Sequence, residues 1–237
     1  MKKTIISCVL FLTAVTAFSQ TTMKTAAEAK LSASDLAVKI ADRILATTTY
    51  EFKNAKTGKT YKSVKNLPLD MNVKVACKYN NWHYTNGVTH IALMELADKT
   101  GAKKYDDYVF KNMNFVFNEG NLDFFKKQYD QAMKDEGWYG VRKLSWHMIF
   151  RGKRLDDNGP MGASLIDLQM KHPNNSFLNY INETAEHLNY GEPRLADGTI
   201  ARIWPHENTI WADDAFMAIS FPVSYTHLRA HETCADL

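Results

Sequence analysis

Apolar residues recur along most of this chain at the three- and four-residue spacing of helices that bury one face. Leu36, Ile40 and Ile44 repeat every four residues behind Ser32 and Ser34, either of which suits an N-cap, so a first helix is expected over about 31–49. A polar stretch rich in Lys, Thr and Asn follows over 51–66 and reads as a loop. Val88, Ile91, Met94 and Leu96 mark a helix over about 82–100 that should stop at Gly101, the residue type favoured just past a helix end. Tyr105, Val109, Met113 and Val116 form the stripe of a third helix over 105–118.

The segment 119–153 is less regular. It predicts a short helix over 124–134, then an irregular connection holding Trp138, Tyr139, Trp146 and His147. Gly159 and Pro160 read as the N-cap and N1 pair of a helix running to Gln169 and closed by His172 and Pro173. Another helix is expected over 177–188, then a loop or short hairpin turning at Asp197 and Gly198, and Trp211 opens the last helix. No alternating run is long enough for a sheet, so the expected class is all-α, built of antiparallel hairpins. The long connections over 51–66 and 119–153 argue against a tight four-helix bundle and for a site assembled where helices end.

The chain ends do not follow this pattern. Lys2 and Lys3 precede an apolar run over 4–18 that is too short for a membrane span, and Ala17-Phe18-Ser19 supplies cleavage chemistry before Gln20. Residues 1–19 are therefore read as a signal peptide, and the mature protein as periplasmic or secreted with no membrane attachment. Residues 223–237 carry neither a helical stripe nor turn chemistry and resemble translated library adapter. They are read as a non-native tail behind a helical domain of residues 20–222 that the natural gene continues past Pro222.

Composition narrows the function classes. With 45% hydrophobic and 23% charged residues, the 237-residue chain has ordinary globular composition and length for one sizeable core. Its formal charge is +3, but two of the positive groups are Lys2 and Lys3 of the leader, so there is no electrostatic footprint for nucleic acid. Cys8 leaves with the leader, and Cys77 and Cys234 are too far apart to argue for a disulfide. No close Cys or His spacing of the kind that holds zinc occurs, and no metal or cofactor is expected.

Two acidic knots stand out. Asp213 and Asp214 follow Trp211, where they are either helix-start acids favoured by free backbone N–H groups or a proton donor held against an indole, since burial raises a carboxyl pKa. Asp156 and Asp157 precede Gly159 and likewise suit either a helix start or acid–base work, with Arg151, Lys153 and Arg154 nearby to bind an anionic ligand or balance the acids. Trp82 and Tyr84 fit a core or a sugar-binding face. His147 and His206 are single loop histidines, for which a structural role is the simpler reading. Residue types alone leave these alternatives open.

Five segments in order resemble the unsaturated glucuronyl and rhamnogalacturonyl hydrolases, glycoside hydrolase families 88 and 105, the second more closely. They are Trp82-His-Tyr-Thr-Asn-Gly-Val, Thr100-Gly-Ala-Lys-Lys-Tyr, Arg154-Leu-Asp-Asp-Asn-Gly-Pro-Met-Gly, Ala196-Asp-Gly-Thr-Ile-Ala-Arg and Asn208-Thr-Ile-Trp-Ala-Asp-Asp-Ala-Phe-Met, within residues 35–222. The resemblance implies a barrel of six helical hairpins, here incomplete, acting on lyase-generated oligosaccharides that end in a 4,5-unsaturated uronate. It implies hydration of the C4=C5 bond, with Asp213 as the proton donor that also activates water and Asp156 steering the water or tuning the donor. Trp211, Tyr84 and Trp82 would line the sugar subsite, and Arg202 or its rival His206 would face substrate. Members continue past the last motif, so this polypeptide is expected to expose apolar helix faces and to be poorly soluble or inactive beside a longer parent. An ordinary acid–base glycosidase on saturated sugars and a non-catalytic carbohydrate-binding helical protein are the competing readings. The first would hydrolyse a saturated glycoside, and the second would bind an oligosaccharide without turning it over.

Overall fold

The computed structural model describes residues 31–117, 120–151, 155–203 and 205–235, without the side chains of residues 157, 215, 218 and 231–235. The segment 1–19 read as a leader, Lys153 and Arg154 lie outside the described residues, as do the side chains of Asp157 and Cys234. The chain divides after Arg43 into two compact units. The first contributes the opening turns of α1 (Ala33–Thr47), where Ser32 is the cap: its hydroxyl accepts from the Asp35 N–H at 3.1 Å.

The second unit is helical, with one small sheet that the polar pattern concealed. Strands β1 (Phe52–Asn54), β2 (Thr60–Tyr61) and β3 (Val73–Val75) pair antiparallel in the order β2-β1-β3, so part of the expected loop over 51–66 is strand. Strands of two or three residues are too short to show an alternation that stands out from loop composition. Phe52, Val73 and Val75 point inward, and Phe52 meets the rings of Phe115, Phe124 and Phe125.

Helix α2 (Tyr84–Thr100) ends at Gly101 in the left-handed conformation expected of it, and α3 (Lys104–Phe117) follows the striped segment. Helix α4 (Asn121–Val141) is longer than the expected 124–134 because it continues across a break at Gly137. There φ is 59° and ψ is −150°, a region that side chains exclude, so glycine alone lets the last turn change course. A 3₁₀ turn (His147–Phe150) leads to α5 (Leu155–Lys171), and α6 (Asn175–Tyr190) and α7 (Asp214–Ala235) complete the order.

Two sequence expectations about these last helices are corrected. Helix α5 begins at Leu155, ahead of Gly159 and Pro160, which places Asp156 in its first turn. Pro160 removes the N–H that would have met the Asp156 carbonyl, a loss the helix tolerates because packing on nearly every side holds it. Trp211 precedes α7, which starts at Asp214 and runs unbroken through Pro222 and the segment expected to lack helical character, where Leu228 is buried and Tyr225 stacks on Phe221.

Helix α5 is the centre of the second unit and packs against α2, α6 and α7. The approach is close because glycines lie at the seams. A Cβ on Gly159 would overlap the Met217 carbonyl of α7, one on Gly162 the Phe221 ring, and one on Gly87 of α2 the Pro160–Met161 backbone. Gly159→Ala should therefore push α7 away from α5 and cost about 1–3 kcal/mol, the usual range for overpacking, with a matching fall in denaturation midpoint. A stability equal to wild type would show that the seam yields without cost.

Candidate active site

The α5–α7 seam carries the start of α5 to the start of α7, and so brings the two acidic knots to one point. Between them stands Arg202. Its backbone N–H donates to the Thr209 carbonyl at 2.8 Å and its carbonyl accepts from Asn208, so an antiparallel return fixes its place. The guanidinium Nε donates to both oxygens of Asp214, at 2.7 and 2.8 Å, and an η nitrogen donates to Asp156 Oδ1 at 3.0 Å. Asp213 Oδ2 is 3.9 Å from the same nitrogen, and the Trp211 ring covers the guanidinium face with its centroid 4.4 Å from Cζ.

The neighbouring acids are thus treated unequally. The Asp214 side chain is 5% exposed and also accepts from the Trp211 N–H at 2.7 Å, whereas that of Asp213 is 55% exposed. Burial works against charge on Asp214, but hydrogen bonds from Arg202 and the Trp211 N–H, with the arginine's charge, outweigh it and hold the carboxyl below the usual range. The hydrogen bond to Asp214 raises the Arg202 pKa against the opposing effect of burial, and the charges of Asp156, Asp214 and Asp213 add to the rise. Arg202 is a fixed cation, and Asp214 is its dedicated counter-ion.

Of the residues expected at a site, the structure brings together Asp156, Arg202, Trp211 and Asp213. It takes Trp82 into the core, 1% exposed, with its ring against Tyr180, Phe117 and Trp146, so no face is left for a sugar. Tyr84 opens α2 partly exposed with its ring on His83 and is not among the residues lining the cavity beside Arg202. His206, the rival of Arg202 for the place toward substrate, lies exposed in the turn between Arg202 and Thr209, where its carbonyl accepts from the Thr209 hydroxyl, and it is not among the residues lining the cavity beside Arg202. Trp211 lies on Arg202 and leaves Asp213 open to solvent.

Beside the cluster is a cavity of about 700 Å³, into which Asp156, Arg202 and Asp214 project from one wall. Trp138, Arg151 and the pair His187 and Glu192 belong to its other walls. Sequence reasoning did not assign Trp138, His187 or Glu192 to a site. Gly137 was the usable signal for Trp138, since a glycine inside an apolar helical pattern marks a break that can re-aim its neighbour. The His187–Glu192 contact, 3.2 Å across the end of α6, carries no comparable signal. Burial raises the Glu192 pKa, with His187 opposing the rise. Among the described residues no group of three or more His, Cys, Asp or Glu side chains could hold a metal ion, and no helix is long and apolar enough to cross a membrane.

The carboxyl groups of Asp156 and Asp214 and the Trp138 indole line this cavity, with Asp213 and Trp211 beside the cluster rather than among the lining residues, and such a set suits acid–base work on a sugar. The sequence match agrees: residues 52–236 fit Glycosyl Hydrolase Family 88, and the chain belongs to that family. It is a glycoside hydrolase of all-α architecture. A search of the curated proteins finds no match.

Proposed function

We propose that the protein removes a 4,5-unsaturated uronyl residue from the non-reducing end of lyase-generated oligosaccharides by hydrating the C4=C5 bond. Rhamnogalacturonan and related pectin fragments, the substrates of the family 105 relatives it resembles, are the preferred class. The observation that carries the reading is the unequal grip of Arg202 on two adjacent acids. Asp214 is held as a carboxylate, which makes it a poor proton donor and a good anchor. Asp213 stands next to it, exposed toward solvent and within the field of the same guanidinium.

In this mechanism Asp213 gives its proton to C4 while the oxygen of a water molecule bonds to C5. The water's proton returns to the Asp213 carboxylate, and the resulting hemiketal opens and expels the next sugar. Asp156, anchored by Arg202 at 3.0 Å, orients the water. Because no displacement occurs at the anomeric carbon, the separation of the carboxyls does not report retention or inversion here. The leader at 1–19 supports action outside the cytoplasm, in the periplasm or after secretion.

The test is incubation of the protein with unsaturated uronyl disaccharides while following the ultraviolet absorbance of the conjugated uronate. Absorbance should fall with release of the neighbouring sugar, and saturated counterparts should be inert. Equal hydrolysis of saturated glycosides would transfer Asp156 and Asp213 to an ordinary acid–base mechanism.

A further inference from the structure

Glu192 lies on another wall of the cavity and takes no part in the hydration steps. Its side chain is 5% exposed, so the hydrogen bonds it makes decide what its burial costs. One oxygen has a partner: Oε1 stands 3.2 Å from Nε2 of His187, which lines the same cavity. Among the described residues Oε2 has no hydrogen-bond partner. An acceptor in so nearly buried a side chain is ordinarily satisfied, and on a cavity wall the donor comes from what the cavity binds.

The position of this carboxyl is fixed in advance. Glu192 follows Gly191, the residue that closes α6, and both backbone N–H groups donate to the His187 carbonyl, at 2.7 Å from Gly191 and 3.1 Å from Glu192. The imidazole lies over the same turn, in space that a side chain at residue 191 would take: a Cβ there would come within 2.4 Å of Nδ1. Beyond Glu192 the Arg194 guanidinium donates to the Leu188 carbonyl at 2.9 Å and to the Gly198 carbonyl at 2.8 Å, which clamps the following loop to the end of α6. A group held by its backbone, its side chain and the loop after it has little freedom left to lose when a ligand arrives, so its hydrogen bond counts toward affinity.

The chemistry of the pair sets what it can bind. Burial raises the Glu192 pKa, and the charge and hydrogen bond of His187, with the charge of Arg194, oppose the rise. A proton lies between Oε1 and Nε2 in each hydrogen-bonded state of the pair, and whichever atom carries it, Oε2 remains an acceptor. An acceptor that shares its cavity with a second acid, Asp156, suits the hydroxyl groups of a sugar and disfavours a further carboxylate.

We propose that Glu192, held by His187, is a specificity-determining residue that accepts a hydroxyl of the sugar bound in the cavity. The inference rests on the hydrolase reading for its substrate and on the geometry of this wall for its residue. Glu192 reads a neutral part of the substrate while Asp213 and Asp156 act at the double bond. A sugar without that hydroxyl leaves Oε2 enclosed with no donor, and the cost falls on binding.

The test compares an unsaturated uronyl disaccharide with its monodeoxy analogues, each lacking one hydroxyl, on wild-type protein, Glu192→Ala and Glu192→Gln. Equilibrium binding is measured by calorimetry beside turnover. Wild type should bind one analogue about 10–100-fold more weakly than the parent, the value of a hydrogen bond to a charged group. In Glu192→Ala that penalty should shrink to within about 3-fold, and in Glu192→Gln, whose amide oxygen still accepts but without charge, it should stand between the two. Equal binding of every analogue and the parent by wild type, or a penalty undiminished in Glu192→Ala, overturns the assignment. Should Glu192→Ala fail to fold, an undiminished penalty in Glu192→Gln overturns it instead. Hydroxyl-selective binding that depends on Glu192 without turnover would remove the hydrolase reading and leave this one. Turnover with a penalty indifferent to Glu192 would do the reverse, and no binding of the parent disaccharide would remove both.

Discussion

Asp213→Asn is expected to lower turnover of an unsaturated uronyl disaccharide by about 10²–10⁴-fold, the usual contribution of a positioned general acid. The amide keeps the size of the side chain but cannot supply the proton to C4. Because the Asp213 side chain is more than half exposed and its contact with Arg202 is long, the fold has little to lose: thermal stability should stay within about 0.5 kcal/mol of wild type. Asp214→Asn gives the contrasting result. It removes the counter-ion of a guanidinium that is 14% exposed, so its damage should appear first in stability. Full activity in Asp213→Asn would move the donor to another carboxyl.

Arg202→Gln has the larger structural effect. Removing one partner of a buried pair leaves the other charge uncompensated and costs about 3–5 kcal/mol. Here Asp214 loses its counter-ion, Asp156 its donor and Trp211 the cation beneath its ring. The pH dependence changes as well. Since Asp214 is held below the usual carboxylate range in the folded protein, its contribution is fully present above the unfolded value of about 3.9 and is lost as pH falls through the folded one. Thermal melts across the acid range should show that loss in wild type and a weakened or reversed slope in Arg202→Gln. Identical acid limbs in the two proteins would mean that the Arg202–Asp214 pair contributes nothing to stability.

Legibility in the sequence followed the strength of the local signal. Gly101, the His172–Pro173 pair and the Asp197–Gly198 turn announced their roles because each has few alternative uses, and the striped helices were found to within a few residues. The start of α5 was misplaced because Gly159 and Pro160 mimic an N-terminal signature. In the folded chain the glycine is there for its lack of a side chain against Met217. Tertiary packing, invisible to a local rule, won over the local preference. At the site, Asp156, Arg202 and Asp213 stood in recognisable motifs, but the division of labour between Asp213 and Asp214 depends on which of them Arg202 reaches. Trp82 illustrates the opposite limit: nothing in its neighbours distinguishes an indole packed on Tyr180 and Phe117 from one offered to a sugar.

The seam between α5 and α7 bears on how substrate enters. At Gly159 the two helices meet backbone to backbone, with no side chain between them to change rotamer and absorb a slide. Asp156 and Asp213 therefore ride on a rigid joint whose spacing substrate cannot adjust. The return that begins at Arg202 is tied across the same joint by the arginine's bonds to Asp156 and Asp214. The residue that orders the acids thus also fastens this return to the starts of both helices.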